Sequence, residues 1–439
     1  MRSQVLAKWA GKGALTLLDQ ALVSASSAFA SILLARILTV SAYGAYAIAI
    51  SVFLFLSSVH NALLLEPLGV FGSSSYRSNL RTYFLAGLGI NFGLSIGISV
   101  FLALVIVLYR MVTGNTLVSS ALWGMCAAYM IPTLTFWLCR RLAYLQFRPD
   151  IAIRGSSIYA LLVLGVLYWS RRADWLSPVS VFVIQGAGAL VASVVLVWGA
   201  LPKKGVAQQA LPLFAVLNDH WRYGKWVLAT SVGYWLTTAA YYLFVGVFLP
   251  LERVAELRVL QNLSMPINQF LVAQTNLLLP VASARFADRG AAALRQTTKS
   301  FTILFSLVGV LYLSLLTLCG PELMRILYPV SYIHVADLLP LSAVPSLFIA
   351  VAQGAVIALW ARRLSREVFW GYTMSGATSL LVGLLLTKYY GLLGSLTGLT
   401  IASAVFLTVI VYRNYMIQKG EVALLSPEEK RNALPSGTY

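Results

Sequence analysis

The sequence predicts an all-α integral membrane protein with about twelve transmembrane helices. Of its 439 residues, 59% are hydrophobic and only 10% charged, a composition typical of polytopic membrane chains. Apolar stretches of about 20 residues, the length that crosses a hydrocarbon core, follow one another along the chain. The links between them are short and leave no room for a soluble domain. Irregular backbone is confined to those links, because unpaired peptide groups do not face hydrocarbon.

The first span, 13–35, follows Arg2, Lys8 and Lys12 and mimics a secretory leader. Its apolar run exceeds a leader's core and no convincing cleavage pattern follows, so it reads as a helix. Spans at 42–65, 82–109, 118–139, 151–169 and 178–200 complete a first set of six. A second set lies at 224–248, 255–280, 301–319, 335–360, 367–387 and 391–412. The link 201–223 carries Pro202-Lys203-Lys204-Gly205 and opens an amphipathic stretch, Leu211 to Trp226, expected on the cytoplasmic surface. The polar, Pro-interrupted residues 417–439 read as a disordered tail. Cys126, Cys139 and Cys319 fall in or beside apolar spans at spacings that suit neither a disulfide framework nor a zinc site.

A net charge of +18 raises the possibility of nucleic acid, but its distribution argues against it. Lys and Arg collect in alternate links. One side holds Arg2, Lys8, Lys12, Arg77, Arg81, Arg140, Arg141, Arg148, Arg154, Lys203, Lys204, Arg222 and Lys225, then Arg285, Arg289, Arg295, Lys299, Arg362, Arg363, Arg366, Arg413, Lys419, Lys430 and Arg431. The opposite side, with Arg258 counted there, has Arg36, Arg110, Arg171, Arg172, Arg253, Arg258, Arg325 and Lys388, roughly a threefold asymmetry. Both termini are therefore expected in the cytoplasm, which requires an even number of helices.

The eighth span carries Arg258, Gln261, Asn262, Asn268, Gln269, Gln274 and Asn276. At 100° per residue, Arg258, Asn262, Gln269 and Asn276 fall within roughly 40° of one another. A polar face along a membrane helix is expected to line a substrate path. The competing reading of Arg258 is a side chain that reaches headgroups or pairs with Glu252 or Glu256. Pro266 removes a backbone donor beneath Asn262, which predicts a kink and hinge at mid-depth. Pro132, Pro340 and Pro345 are weaker versions of the same feature.

Weak self-similarity at a spacing of about 211 residues divides the chain into two six-helix halves, 1–200 and 224–416. Leu38 to Gly44 lies against Leu249 to Ala255, and Pro67 against Pro280. Thr16, Gln20, Ser24, Ser27 and Ser31 share a face of the first span, as do Ser231, Thr238 and Tyr242 in the seventh. Six helices per half make the repeats parallel, as in some secondary transporters whose path lies between the halves. The hydroxyl faces also suit helix packing, and Gly89, Gly93 and Gly97 in the third span read as a close-packing stripe.

Asp19 and Glu66 are the acidic candidates within spans. In low dielectric a carboxylate's charged form is disfavoured, which fits a proton carrier; pairing with a nearby Arg or Lys is the equally open alternative. His60 reads as a hydrogen-bonded structural residue, and His220 and His334 suggest nothing. No phosphate loop, HExxH helix, nucleophile elbow or EF-hand is present, so neither an enzyme, a metal site nor a self-powered pump is expected.

Gly13-Ala-Leu-Thr-Leu-Leu-Asp19-Gln20, Leu33-Leu-Ala-Arg36, Tyr43-Gly-Ala-Tyr46 and Ala255-Glu-Leu-Arg258-Val-Leu-Gln261-Asn262 to Pro266 resemble the polysaccharide-type lipid-linked oligosaccharide flippases. These belong to the multidrug/oligosaccharidyl-lipid/polysaccharide (MOP) export superfamily. The resemblance implies two pseudo-symmetric six-helix lobes in a V and alternating access in a bacterial inner membrane. It implies passage of an undecaprenyl-diphosphate-linked repeat unit, such as that of O-antigen or exopolysaccharide, driven by a proton or sodium gradient without a cofactor. It also implies a cationic lumen, which Arg36 and Arg258 fit. Arg binds a diphosphate bidentately. Gln20, Gln261, Asn262, Gln269 and Asn276 suit sugar hydroxyls, as do Tyr234, Tyr241 and Tyr242. The expected partners are the glycan lipid, the bilayer and polysaccharide polymerase or export machinery, with no nucleic acid. The rivals are a multidrug cation/proton antiporter, which wants an acidic cavity, and a non-transporting scaffold of a secretion complex. A lipid II flippase would carry two further helices, and a polymerase a larger external loop.

Overall fold

A computed structural model describes residues 2–172, 175–201 and 211–423. The side chains of residues 2–14, 17 and 276 lie outside the described structure, as do linker residues 202–210 and tail residues 424–439. Lys203, Lys204 and the Asn276 side chain therefore lie outside the described residues.

Helices account for nearly the whole of the described chain: α1 (Arg2–Ile37), α2 (Val40–Ser73), α3 (Arg77–Thr113), α4 (Thr116–Leu145), α5 (Pro149–Trp169) and α6 (Pro178–Ala200). Next comes α7, built from Leu213–Thr237 and Ala240–Phe248 with a 45° bend between them. The continuous stretch Leu251–Leu327 is broken at Gly290, whose φ of 70° and ψ of −164° are not helical, giving α8 (251–289) and α9 (291–327). After α10 (Val330–Ala361), a break at Gly391 separates α11 (365–390) from α12 (392–423). The described chain thus holds the twelve helices expected from span length.

Local chemistry sets several boundaries. Thr39 caps α2, its hydroxyl accepting from the Ala42 amide, and Asn115 caps α4 by accepting from Val118 at 3.0 Å. Ser177 and Ser180 form a capping box at α6, with Pro178 in the first turn, where its missing donor is harmless. Gly114 ends α3 in the left-handed conformation. The two-residue links before α2 and α8 are alike: Leu38 donates to the Leu34 carbonyl at 2.9 Å and Leu249 to that of Val245 at 2.8 Å.

Two departures from the expected spans matter for function. The stretch expected to lie on the surface is continuous with the seventh span, so α7 starts at Leu213. Pro266 does not interrupt the helix; among the described residues of Leu251–Leu327 the non-helical backbone is at Gly290.

By contacts the chain groups into two units, Met1–Val232 with Val245–Asn262, and Gly233–Phe244 with Leu263–Tyr439. The first unit has a core of Leu64, Leu68, Phe84, Phe136, Leu142 and Leu196, into which Val216 of α7 also packs. The second holds two clusters, one around Ile267, Leu271, Phe305 and Ile357 and one around Val356, Val368, Phe406 and Ile410. Much of α3 is apolar and exposed, including Phe92, Ile96, Phe101, Leu104 and Leu108, as a surface facing hydrocarbon requires.

Three helices contain a five-residue π-turn: Asn61–Leu65 in α2, Met125–Tyr129 in α4 and Ser379–Gly383 in α11. At each one, a glycine of another helix comes close. A Cβ on Gly224 would lie 2.4 Å from the Ala62 carbonyl, one on Gly186 2.0 Å from that of Ala128, and one on Gly398 2.6 Å from the Gly383 Cα. No larger residue fits at these separations. Bilayer helices gain little hydrophobic energy from meeting one another, so close backbone approach supplies the van der Waals contact that joins them.

Candidate functional site

In the first unit, the start of α8 packs against α1 and α2. A Cβ on Gly44 would fall 2.0 Å from the Leu251 carbonyl oxygen, and the Ser41 hydroxyl donates to the Glu252 carboxylate. Three turns along α8, the Asn262 amide nitrogen donates to Ser31 Oγ at 2.9 Å and Tyr43 Oη at 3.0 Å. Those two hydroxyls are 2.8 Å apart. All three side chains are buried, so the amide predicted to meet a sugar ties α8 to α1 and α2. Such buried bonds contribute about 1 kcal/mol each.

Arg258, one turn before Asn262, is half-buried, and its charge acts on the Tyr46 hydroxyl. Tyr46 also accepts a hydrogen bond from Gln185 of α6 at 3.1 Å. Arg258, Tyr46 and Gln185 therefore bring α8, α2 and α6 to one polar locus. Gln185 had no sequence signal, being a lone amide in an apolar span. Gln261 and Gln20 are half-buried, and Arg36 is exposed in the last turn of α1, where a cation favours the helix dipole.

The acidic candidates have arginine partners. Asp19 is fully buried, and its Oδ2 accepts from Arg140 Nη2 at 2.5 Å and from the Tyr144 hydroxyl. Its Oδ1 has no hydrogen-bond partner among the described residues. Glu66 is half exposed, 3.6 Å from Arg141, whose Nε donates to the Leu65 carbonyl at 3.1 Å. Glu256, buried, takes Arg253 at 2.8 Å. Of the two readings of Asp19 and Glu66, ion pairing is what the geometry contains. Residues separated by 121 positions, as Asp19 and Arg140 are, leave no local pattern to read.

Two histidines are built into the first unit. His60 Nε2 is 2.7 Å from Asn91 Oδ1, and Asn91 donates to Thr135 at 3.0 Å, the structural role expected. His220, which suggested nothing in the sequence, clamps α7 to the unit. Its Nδ1 is 3.0 Å from the Leu63 carbonyl and its Nε2 2.6 Å from the Tyr83 hydroxyl. A carbonyl only accepts, so Nδ1 carries the proton and Nε2 accepts from Tyr83. Next to it, Asp219 accepts from Tyr76 at 2.8 Å.

In the second unit, Tyr241 is fully buried: its hydroxyl donates to Ser379 at 3.3 Å and its ring covers Gly383. Tyr242 is also buried, while Tyr234 is half exposed with its ring edge-on to Tyr372. Tyr241 thus serves packing rather than a wetted surface. Gln269 is half-buried and Pro266 exposed. Near the proline, Tyr312 donates to the Leu263 carbonyl at 2.5 Å and Ser264 to that of Ser342 at 3.3 Å. Gln353 of α10 donates to Thr275 at 2.6 Å, a polar pairing within spans that the eighth-span stripe did not reveal.

The glycine stripe of α3 differs from expectation. A Cβ at Gly89, Gly93 or Gly97 would meet nothing within 4 Å, so these positions are open rather than sites of helix packing.

Solved structures share this fold. One is reported as the inward-facing conformation of a multidrug resistance MATE family transporter of the MOP superfamily; it is 12% identical, with a TM-score of 0.76 over 94% of this chain and 100% of that one. The lipid II flippase MurJ, in an inward closed conformation, is 11% identical with a TM-score of 0.71 over 92% of this chain and 87% of that one. A MOP superfamily transporter from Pyrococcus furiosus, for which a reversed polarity of the binding pocket suggests a different function, is 11% identical with a TM-score of 0.66, over 93% and 94%. No family model and no curated protein matches the sequence. The chain has the all-helical fold of MATE and MurJ structures.

Proposed function

We propose that the chain is a secondary transporter that flips an undecaprenyl-diphosphate-linked oligosaccharide from the cytoplasmic to the periplasmic leaflet by alternating access. The fold shared with MATE and MurJ structures supports the class. One observation supports an anionic cargo: Asp19, Glu66 and Glu256 each have an arginine partner, and half-buried Arg258 lies in the same unit as the bonded Tyr46 and Gln185. An organic cation needs an available carboxylate. A diphosphate instead suits guanidinium groups, which bind it in a bidentate, charge-assisted way.

In this reading Arg258 and Arg36 of the first unit receive the diphosphate, while Gln20 and Gln261 of the same unit meet sugar hydroxyls. Asn262 holds α8 against α1 and α2 so that Arg258 is correctly placed. Polysaccharide polymerase or export machinery receives the cargo. Coupling to a proton gradient would use Asp19, which binds a proton at Oδ1 when Arg140 is drawn away. A carrier gains from such a step only if the two states differ in affinity for the cargo.

The test is export of surface polysaccharide by Arg258→Ala, together with flipping of a fluorescent undecaprenyl-diphosphate oligosaccharide in proteoliposomes. The expected outcome is a loss of both at normal protein levels. Undiminished export removes Arg258 from the site; efflux of organic cations without flipping assigns the chain to the antiporter reading.

A further inference from the structure

A cleft of about 410 Å³ lies in the first unit between α3 and the first turns of α7. Gly89 and Gly93 form one wall, Leu213, Leu217 and Trp221 the other, and Leu63 the floor. A ligand pocket of several hundred Å³ is within the ordinary size range. His220, its one ionisable lining residue, has both ring nitrogens engaged by Tyr83 and Leu63, so the cleft offers an occupant little polar bonding. It opens on apolar surface: Leu85, Phe92 and Ile96 of α3 and Phe214 of α7 are all exposed.

We propose that this cleft holds one acyl chain of an anionic phospholipid from the cytoplasmic leaflet, an inference independent of the cargo. Charge complementarity selects that occupant. Bonds from Tyr76 to Asp219 and from Tyr83 to His220 bring the start of α3 against α7. Arg77 lies in the first turn of α3, and Arg222 and Lys225 follow the lining residues of α7. Asp219 subtracts one charge and leaves the set cationic. An anionic headgroup complements this set. The lipid would bridge α3 and α7 where His220 already clamps them.

The test reconstitutes the full chain in phosphatidylethanolamine/phosphatidylglycerol vesicles doped with phosphatidylglycerol that carries a photoactivatable group on its acyl chain. Labelled peptides are mapped by mass spectrometry. Labelling is expected to concentrate on 89–94 and 213–221, several-fold above the exposed face at 100–108, and to fall several-fold in Gly93→Leu. Gly165→Leu, at another position where a Cβ meets nothing within 4 Å, is expected to label like the parent. A phosphatidylcholine analogue is expected to label the cleft less. Uniform labelling of all exposed faces, no change in Gly93→Leu, or equal labelling by phosphatidylcholine would each overturn the proposal, as would disulfide-linked dimers formed efficiently through Gly93→Cys.

Discussion

Removing Arg140 isolates a charge. Asp19 is fully buried, while the Arg140 side chain keeps 12% exposure, so the two partners are not equivalent. In Arg140→Leu the carboxylate loses a guanidinium at 2.5 Å and keeps only the Tyr144 hydroxyl. Breaking a buried pair in this way costs about 3–5 kcal/mol. Asp19→Asn is milder, because the arginine retains a route to water and the amide oxygen still accepts from it; about 1–2 kcal/mol is expected. The double variant Asp19→Leu/Arg140→Leu removes both charges and is expected near the parent, since apolar replacement of a buried pair is often neutral. The assay is a double-mutant cycle by equilibrium denaturation in mixed micelles. If Arg140→Leu costs under about 1 kcal/mol, the worth of an exposed pair, the ion-pair reading fails.

Gly44→Ala places a Cβ 2.0 Å from the Leu251 oxygen; relief requires a backbone shift on the order of 1 Å, and a loss of about 1–3 kcal/mol is expected by the same denaturation assay. His220→Phe removes the bond to the Leu63 carbonyl and leaves the Tyr83 hydroxyl only the Pro67 carbonyl at 3.5 Å, at an expected cost of about 1–3 kcal/mol in the same denaturation assay. Gly290→Ala is expected to cost about 1–3 kcal/mol, because φ near 70° with ψ near −164° is a region essentially reserved for glycine; Gly89→Ala, helical and open, should be neutral or stabilising.

The number of spans was legible because bilayer thickness imposes a length on each apolar run, and the link geometry at 38–39 and 249–250 kept its spacing. The partners of the polar residues were not. Asn262 bonds to residues 231 and 219 positions away, and the helical wheel that placed it beside Arg258 cannot say whether a polar face meets water or another helix's hydroxyls. The glycine stripe misled for a related reason: GxxxG spacing describes a smooth face, not what lies against it. The linker stretch was amphipathic enough to suggest a surface helix, but Val216, Gly224 and His220 seat it in the first unit. The π-turns also left no sequence sign, and a wheel drawn through 61–65 slips by a residue's rotation.

That slip has a mechanical meaning. A π-turn is one surplus residue stored inside a helix, and it can migrate along the axis by exchanging one backbone bond for the next. As it passes, the intervening residues rotate by roughly 100° while the ends stay fixed. In α2 the store lies between His60 and Glu66, with Gly224 resting on the Ala62 oxygen like a pawl on a tooth. The helix has a ratchet position set by its neighbour, and turning it would re-aim side chains without unwinding the strand of polypeptide that carries them.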